Sequence, residues 1–402
     1  MQRLLVIGAG GPMREGLFLA AARRGISVTL VDDNPYNRYD RLVDTTILRR
    51  PDDPALVTDL AAVARRADGI TSLSDRAAPL VDQVARAHGF PAPGCGAARS
   101  AHDKALLRRL TNGRLRPVRS ALVHDEQVID RFFAEWRGPA IIKPVDGAAS
   151  FGVVYAESAR EAHAGLEHAV HRSRRGLAVI EGYVPGPEFS FEVVVRDRAV
   201  WSLSVTEKTT TGPPHFLERQ QVSENDQSRY ERLGAQAFAA TLVESLGVEN
   251  AVMHVETKLA DGGWTLIEAA VRPGGGMIAE VTGLGGGLDL YDSQLAVALG
   301  LTPGTRGVAG PVSAVRFVIG RGTIRDPRSL TEIAEGLDSV LHVCTLLPAG
   351  FRVGELEANW QRAAYVLARG ADRTQVLAEV AEAERRLTGA LGLTDAEDRR
   401  VA

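Results

Sequence analysis

The chain has 402 residues, enough for two to four domains at ~100–200 residues each, which excludes a peptide hormone or a disulfide-stapled miniature. Hydrophobic residues make up 45% and charged residues 24%, and 47 basic against 50 acidic side chains give a formal net charge of -3. This balance is typical of a soluble globular protein and argues against nucleic acid as the main partner, because nucleic-acid-binding domains usually carry a basic patch.

The two cysteines, Cys95 and Cys344, lie far apart, and neither has a second cysteine nearby for a zinc ribbon or a CxxC redox pair. No apolar run approaches the ~20 residues of a membrane span. From Met1 the chain passes at once into a strand-like run, which differs from a signal peptide. We therefore expect two buried thiols in a cytoplasmic protein that has no membrane partner.

Lysine is rare in this chain. Of the 47 basic residues only four are lysine, and the other 43 are arginine; the lysines are Lys104, Lys143, Lys208 and Lys258. A skew of this size reflects codon bias. The positions that keep lysine are worth inspecting, because arginine cannot replace a compact ammonium group where space is limited.

The first hundred residues alternate strand-like runs with amphipathic helical runs. We predict strands over residues 4–7, 28–31 and 69–72, and helices over about 13–24, 54–66 and 77–88. This alternation predicts βαβ units with a parallel sheet. The proline- and glycine-rich stretch at residues 91–96 then predicts a domain boundary.

The turn after the first strand carries part of a dinucleotide-binding fingerprint. Gly8 and Gly10 match the first two glycines of GxGxxG, but Met13 stands where the third belongs. Asp32 ends the second strand about 20 residues on, where this fingerprint places an acidic residue. An NAD-dependent oxidoreductase is therefore a minor alternative.

From about residue 140 the pattern changes to strands joined by tight turns. We predict strands over 140–144, 153–155, 177–180, 189–195, 200–208, near 312–319 and near 339–346, a hairpin of 251–259 with 264–270, and helices over about 159–175, 228–246 and 371–389.

The hairpin carries a pair of carboxylates. A three-residue turn at 261–263 would pair Ala260 with Trp264 and place Glu256 opposite Glu268. Opposed side chains lie about 4.5–5.5 Å apart at Cβ, and like charges there repel each other. A divalent cation would turn this repulsion into coordination, so we predict a Mg²⁺ site, with Mn²⁺ as the alternative metal. A register error of one residue would separate the two carboxylates.

The second strand of the hairpin continues into Arg272 and the glycine run 274–276. An arginine next to the metal pair predicts a guanidinium that clamps phosphate or carboxylate oxygens. The backbone at Gly274 and Gly275 is expected to approach the substrate closely.

Lys143 ends a strand just before the small-residue loop 147–152, whose amides and Ser150 hydroxyl can fold over phosphate oxygens. This loop is not the GxxxxGK[ST] P-loop. Lys104 is a second candidate, since two ammonium groups near a triphosphate supply the charge neutralisation that phosphoryl transfer needs. Further on, Glu181 and nearby backbone groups can face an adenine edge, and Glu188 can accept hydrogen bonds from ribose hydroxyls.

Taken in this order, these motifs resemble the ATP-grasp superfamily over about residues 100–300. The resemblance implies two α/β subdomains that grip ATP, preceded by a Rossmann-like domain. It implies ATP-dependent joining of a carboxylate to an amine, thiol or other nucleophile through an acyl phosphate, with release of ADP and phosphate. The residue roles it implies are phosphate binding by Lys104 and Lys143, adenine binding by Glu181 and the Val184 backbone, ribose binding by Glu188, and Mg²⁺ binding by Glu256 and Glu268.

Within the superfamily the chain is most similar to the L-amino-acid ligases that make dipeptides. The segments that carry this likeness are 204–208, 216–218, 254–258, 354–356 and 362–370. The likeness implies that Arg272 lies beside the acyl phosphate and that Glu218 faces the amino-acid pocket. Arg272 and Lys143 are then the expected catalytic residues, and Glu218, Arg272, Gly274 and Gly275 the expected substrate-binding residues.

We therefore expect a multidomain protein of mixed α/β and α+β class. The predicted parts are a Rossmann-like domain over 1–98, an ATP-grasp domain over 99–305 with a lid subdomain at about 115–182, and a small C-terminal α/β domain over 306–402. The expected partners are a small-molecule carboxylate and an amine, with amino acids favoured, and a homodimer is the default assembly.

Two positions depart from the family pattern. Ala270 stands where the motif Glu-x-Asn-x-Arg usually has a metal-binding asparagine, and Gln221 stands where the ligases tend to carry histidine. Water can replace the missing amide oxygen, since Mg²⁺ commonly keeps several waters. These departures leave open a second interpretation, an ATP-binding module with weakened catalysis.

Overall fold

The computed structural model describes residues 1–395 except 12, 35–38, 40, 225, 262, 308, 309 and 328. Within this part of the chain the strands form four sheets. No helix in the described ranges combines the length and the apolar composition needed to span a bilayer. Cys95 is exposed at the start of a helix, so the expectation of a buried thiol is wrong there, whereas Cys344 is half-buried.

The N-terminal unit is a parallel sheet with helices, as the alternating pattern predicts. Its strands are β1 (Arg3–Ile7), β2 (Ser27–Asp32), β3 (Thr45–Leu48) and β4 (Gly69–Thr71), in the order β3-β2-β1-β4. Its helices are α1 (Glu15–Arg23), α2 (Leu56–Asp59), α3 (Ala61–Ala64) and α4 (Ala78–His88). Two short helices, α2 and α3, thus replace the predicted helix over 54–66. The edge strand β3 escaped prediction, because its residues are exposed or half-buried and form no buried apolar run.

Two helices, α5 (Cys95–Ser100) and α6 (Lys104–Thr111), lead into a second, antiparallel sheet, which we call the lid sheet. Its strands are β5 (Ser120–Val123), β6 (Ala140–Pro144), β7 (Val154–Ala156) and β8 (Ala178–Gly182), in the order β5-β8-β6-β7. Helices α7 (Gln127–Glu135) and α8 (Ala159–His171) pack with this sheet around one apolar cluster.

The remaining strands build a large sheet and a small one. In chain order they are β9 (Glu188–Arg196), β10 (Ala199–Thr210), β11 (Glu218–Glu224), β12 (Ala251–Ala260), β13 (Gly263–Ala270), β14 (Val312–Val318), β15 (Gly320–Thr323), β16 (Val340–Thr345), β17 (Arg352–Val353), β18 (Ala364–Gly370) and β19 (Thr394–Asp395). The large sheet has the order β13-β12-β9-β10-β11-β14-β18-β16, and the small one the order β17-β15-β19. Strands from the predicted C-terminal domain therefore extend the large sheet, and the domain boundaries remain a prediction.

Six helices connect these strands. They are α9 (Ser228–Arg232), α10 (Ala235–Leu246), α11 (Ile278–Val281), α12 (Leu290–Ala298), α13 (Leu330–Ala334) and α14 (Arg373–Ala390). A π-helical turn, Thr282–Gly286, follows α11 directly. Its Gly286 lies against the buried hydroxyls of Ser204 and Ser223, where a Cβ would come within 2.5 Å and 2.8 Å of the two Oγ atoms.

Strand β9 separates the apolar core from the polar face of the large sheet. Successive side chains of a strand point to opposite faces. Phe191 is fully buried, with its ring centroid 5.5 Å from that of Phe238 and 4.8 Å from that of Trp264. Its neighbours in sequence, Ser190 and Glu192, lie on the opposite face. One strand thus supplies core packing and polar groups at once.

In the hairpin of β12 and β13 the two predicted glutamates are opposed, but the turn differs from the predicted one. Ala260 pairs with Gly263, so the predicted pairing of Ala260 with Trp264 is wrong. The turn is one residue shorter than predicted, and its Gly262 lies outside the described residues. A bulge between Glu256 and Thr257 restores the register, and Glu256 does lie opposite Glu268.

We expect Phe191→Ala to lower the free energy of unfolding by about 3–5 kcal/mol, because it leaves a cavity in a fully buried aromatic cluster. Phe351→Ala, at a side chain that is 44% exposed, serves as the matched control and should change it by less than about 0.5 kcal/mol. Denaturant unfolding followed by tryptophan fluorescence measures both. Equal effects of the two substitutions would contradict this assignment of the core.

Candidate active site

The lid sheet, the large sheet and the N-terminal unit enclose a cleft with a volume of about 920 Å³. Residues that follow β1, β2 and β4 form one wall, which is where open α/β sheets usually bind ligands. All four lysines of the chain line this cleft, namely Lys104, Lys143, Lys208 and Lys258. The cleft is therefore the candidate active site.

Lys208 lies at the centre of the cleft floor and contacts three carboxylates. Its Nζ is 3.0 Å from Glu188, 2.8 Å from Glu218 and 2.7 Å from Glu256. Burial alone would lower the pKa of Lys208, but the three carboxylates raise it well above its usual value. The ammonium is therefore charged and holds together strands β9, β10, β11 and β12. Local sequence patterns assign Lys208 no role in the site. Its rarity as a lysine is the signal in the sequence that points to it.

Lys143 and Glu181 form a second buried ion cluster with Arg108. The Lys143 Nζ is 2.9 Å from one Glu181 oxygen, and Arg108 bonds both oxygens of that carboxylate at 2.8 Å and 2.9 Å. Burial would raise the pKa of Glu181, but the charges of Arg108 and Lys143 lower it to about 2. Burial also lowers the pKa of Lys143. Both Glu181 oxygens are paired in this way, so the carboxylate holds Lys143, and the adenine role of Glu181 stays a prediction.

The loop 147–152 folds over the cleft from the lid sheet. Lys104 donates from Nζ to the Gly147 carbonyl at 2.5 Å, and its Nζ also lies 2.9 Å from Glu268. Ser150 has a left-handed backbone, with φ of 59°, and its hydroxyl donates to the Phe216 carbonyl at 3.3 Å. The loop is thus held at Gly147 and at Ser150. The phosphate-binding roles of Lys104 and Ser150 stay predictions.

The two predicted metal ligands lie on neighbouring strands of the hairpin, Glu256 on β12 and Glu268 on β13. Glu256 and Glu268 are opposed, and each contacts a lysine, Lys208 and Lys104 respectively. The described residues contain no cluster of three or more His, Cys, Asp or Glu side chains suited to a metal ion. Any ion here would take its other ligands from substrate and water. Mg²⁺ accepts this arrangement, since it typically binds one or two carboxylates plus phosphates and keeps several waters.

His254 lies between Glu192 and Glu256. Its Nδ1 lies 2.6 Å from Glu192, and its Nε2 lies 3.6 Å from Glu256. Burial would lower the pKa of His254, but Glu192 and Glu256 raise it to about 9. The ring is therefore an imidazolium at neutral pH. Ala270, the position of the missing asparagine, pairs with His254 across the ladder.

Arg272 enters the cleft between the large sheet and the N-terminal unit. Its Nη2 donates to Asp75 at 2.5 Å, and its Nη1 donates to the Pro273 carbonyl at 3.0 Å. Burial would lower the pKa of Arg272, but Asp75 raises it. Arg14, also from the N-terminal unit, contacts the same loop. We had not identified Asp75 or Arg14 as site residues.

The glycines after Arg272 make room for cationic side chains. A Cβ on Gly274 would lie 2.8 Å from the His254 Nδ1, and a Cβ on Gly275 would lie 2.8 Å from the Arg14 Nη2. Gly275 lines the cleft, whereas Gly274 is absent from its lining. Gly274 thus packs closely against Ile278 and His254, and the substrate contacts expected of Gly274 and Gly275 both stay predictions.

Glu218 is held by groups from the C-terminal part of the chain. Its backbone amide donates to the Asn359 side chain at 2.9 Å, and its carboxylate lies 3.2 Å from the Arg362 guanidinium. Gln221 donates to the same carboxylate at 3.1 Å and is fully buried. The histidine-to-glutamine departure thus changes the support of Glu218. Arg362 begins the segment 362–370 that resembles the ligases, but the sequence alone assigns it no site role; its guanidinium lies 3.6 Å above the Phe317 ring.

The hinge after β8 forms the aromatic end of the cleft. Val184 and Glu188 line it. The Lys258 ammonium lies 4.8 Å from the centroid of the Tyr183 ring, a cation–π distance, and burial lowers the pKa of this lysine. The adenine role of Val184 and the ribose role of Glu188 stay predictions.

Asp32 has a structural task in the N-terminal unit. Its carboxylate accepts the backbone amides of Ala9 at 2.7 Å and Asn34 at 2.9 Å. Both oxygens therefore fasten the turns after β1 and β2. A dinucleotide would need this carboxylate for its ribose hydroxyls, so the geometry disfavours the NAD-dependent alternative.

Residues 136–280 match the family model of the ATP-grasp domain. The chain is 26% identical over 328 residues to carnosine synthase 1 of Gallus gallus, which covers 75% of this chain and 35% of that protein. The chain thus spans about a third of the length of this relative. Its fold is similar to that of an L-amino acid ligase from Bacillus licheniformis, with a TM-score of 0.76, 19% identity and coverage of 96% of this chain and 97% of that chain.

A phosphoribosylglycinamide synthetase from Anaerococcus prevotii has a similar fold, with a TM-score of 0.72, 16% identity and coverage of 94% and 97% of the two chains. These findings confirm the predicted resemblance to the ATP-grasp superfamily, whose domain model matches residues 136–280. They also confirm the predicted mixed α/β architecture with an N-terminal parallel sheet.

We expect Glu181→Gln to destabilise the fold by an amount that is constant at neutral pH and shrinks in acid. The pKa of Glu181 in the folded protein, about 2, lies below its usual 4.5, so its ionised form contributes stability above pH 4.5 that is lost as the pH falls toward 2. Urea unfolding at several pH values compares the variant with wild type.

The matched control is Glu244→Gln, at a surface glutamate whose side chain is 68% exposed and should contribute little. A stability difference between Glu181→Gln and wild type that stays constant down to about pH 3 would contradict the pKa assignment.

Proposed function

We propose that the protein is an ATP-dependent ligase that joins a carboxylate to an amine, forming an amide or peptide bond between amino acids or amino-acid-like substrates. One observation carries the proposal: a single cleft holds four lysines, two opposed glutamates and Arg272. The printed names of the relatives, a carnosine synthase and an L-amino acid ligase, agree with this class of reaction.

ATP would lie between the lid sheet and the large sheet. We assign the phosphates to Lys104, Lys143 and the loop that contains Ser150. Lys143 suits this role because an ammonium has three donors, and its contact with Glu181 uses one of them. The adenine is assigned to the backbone at Val184, and the ribose hydroxyls to Glu188.

Glu256 and Glu268 would hold the magnesium ion, with manganese as the alternative. When bound there, the ion supplies compensation for the negative charge on the phosphoryl group during its transfer. Lys104 and Lys208 already contact these two carboxylates, so the same lysines place positive charge beside the transferred group.

The reaction balances without a protein nucleophile. An oxygen of the substrate carboxylate forms a bond to the γ-phosphorus, the bond to the β–γ bridging oxygen breaks, and ADP leaves. The amine then attacks the acyl carbon and loses a proton, and the C–O bond to phosphate breaks. Arg272, which is charged and buried at the cleft, would stabilise the oxygens of the acyl phosphate. Glu218 faces the substrate part of the cleft.

The amino-acid pocket is assigned to the part of the cleft around Arg272, Gly275 and Glu218. Its far wall includes Leu346, Leu347 and Tyr365 from the C-terminal part of the chain. We propose a homodimer as the default assembly.

With Mg²⁺, ATP and pooled amino acids, we expect the protein to release ADP and phosphate only when amino acids are present. Mass spectrometry should find a product equal to two substrates minus water. Lys143→Met should abolish both signals, because it removes a cation from the phosphates. Arg385→Met, at a side chain 72% exposed on α14, is the matched control and should match wild type. Phosphate release that does not depend on any carboxylate would contradict the proposal.

The second candidate, a nucleotide-binding module with weakened catalysis, rests on Ala270. This residue is 5% exposed and lies beside the metal pair. Under the ligase proposal, water fills the place of the missing amide oxygen, and Ala270→Asn should change kcat by less than about tenfold. If wild type shows no turnover and Ala270→Asn shows a large activity, the nucleotide-binding module is favoured.

A further inference from the structure

We propose that Arg14 and Asp75 of the N-terminal unit are positioning residues for Arg272. They would hold its guanidinium at the place where the substrate carboxylate is activated. The inference rests on the proposed function and extends it to residues outside the matched segment 136–280.

Arg14 fixes the backbone that carries Arg272. Its Nη1 donates to two successive carbonyls, those of Pro273 and Gly274, each at 2.8 Å. The Pro273 carbonyl also accepts from the Arg272 Nη1 at 3.0 Å. The two arginines thus share one acceptor, and the position of that carbonyl determines where the Arg272 guanidinium lies.

Asp75 fixes the other side of the same guanidinium. It stands in the short helical turn Asp75–Ala77 directly after β4, and its Oδ2 accepts from the Arg272 Nη2 at 2.5 Å. With Nη1 on Pro273 and Nη2 on Asp75, the planar group is held at two points. Such a planar fork loses little freedom per bond formed, so Arg272 meets a substrate already oriented.

The burial of Arg14 argues for a function beyond packing. Its side chain is nearly inaccessible, and within the described part of the chain its nearby carboxylates, Asp75 and Glu280, act on it from beyond salt-bridge distance. Taking a charge out of water without a closely paired countercharge is costly, and an apolar side chain of similar size would often be at least as stable. Compared with an apolar side chain, the guanidinium adds hydrogen bonds to the carbonyls of Pro273 and Gly274.

Gly275 gives an independent approach to the same contact. A Cβ at this position would lie 2.8 Å from the Arg14 Nη2, the far end of a flexible side chain. Gly275→Ala would therefore displace the Arg14 guanidinium and leave its charge in place. Because Gly275 also lines the proposed amino-acid pocket, the effect of this variant on Arg14 is judged from the labelling of Arg272 described below and not from kcat alone.

The experiment compares Arg14→Met, Arg14→Lys, Asp75→Asn and Gly275→Ala with wild type. We expect Arg14→Met and Asp75→Asn to lower kcat for amino-acid-dependent phosphate release about 10- to 100-fold, because a misplacement near 1 Å costs a factor of this size. The KM for ATP should stay within twofold, since the nucleotide lies elsewhere. Arg14→Lys and Gly275→Ala should show intermediate losses.

The matched control is Arg24→Met. Arg24 forms two bonds of 2.5 Å to Asp292 of α12 and so also joins the N-terminal unit to the rest of the chain, but both residues lie outside the cleft lining. It should leave kcat within twofold of wild type. Thermal unfolding of every variant verifies that the fold is intact.

A second readout does not need turnover. The arginine reagent phenylglyoxal, followed by peptide mass spectrometry, measures the reactivity of Arg272, whose side chain is 15% exposed. Labelling of Arg272 should be several-fold faster in Arg14→Met and Asp75→Asn than in wild type or Arg24→Met. Equal labelling of Arg272 in wild type and in all five variants, or unchanged kcat in Arg14→Met and Asp75→Asn, would overturn the inference. A wild type that shows no ligase activity but does show the labelling difference would overturn the proposed function alone.

Discussion

One buried ammonium, that of Lys208, neutralises carboxylates from three other strands of the large sheet. Glu188, Glu218 and Glu256 all lie within 3.0 Å of its Nζ. Three buried carboxylates this close together would otherwise repel one another and resist ionisation. Because Lys208 lies between them, the neighbouring strands bring these carboxylates together in one cleft. There we propose Glu188 as the ribose acceptor, Glu218 as a wall of the substrate pocket and Glu256 as a metal ligand.

The same principle is repeated around the cleft, with each cation held by groups from another part of the chain. Lys143 is held by Glu181, which Arg108 holds in turn, and Lys104 lies against Glu268. Pairing of this kind fixes the direction of each ammonium before a nucleotide arrives. Preorganised charge is effective in a site that excludes water, because no reorganisation is needed at the moment of reaction.

Local patterns in the sequence predicted the parallel sheet, the hairpin and the opposed pair Glu256 and Glu268. They did not predict β11, whose residues Glu218–Glu224 are mostly polar yet largely buried, because its polar side chains are covered by contacts that only the tertiary fold creates. Gln221 bonds the Glu218 carboxylate, and Ser223 lies against Gly286. The contact of Arg14 with Pro273 joins residues 259 positions apart, and no local spacing encodes such a contact. Lys208 is one of four rare lysines and belongs to the segment 204–208 that resembles the ligases, but its role depends on the register of four strands.

The central claim is that phosphate leaves from an acyl phosphate formed on the substrate carboxylate. The most direct measurement uses an amino acid labelled with ¹⁸O in its carboxylate and follows the label into inorganic phosphate by mass spectrometry. We expect each phosphate released with product to carry one ¹⁸O atom, since the C–O bond breaks when the amine attacks. Unlabelled phosphate formed together with product would contradict it, because the carboxylate oxygen would then never have been bonded to phosphorus.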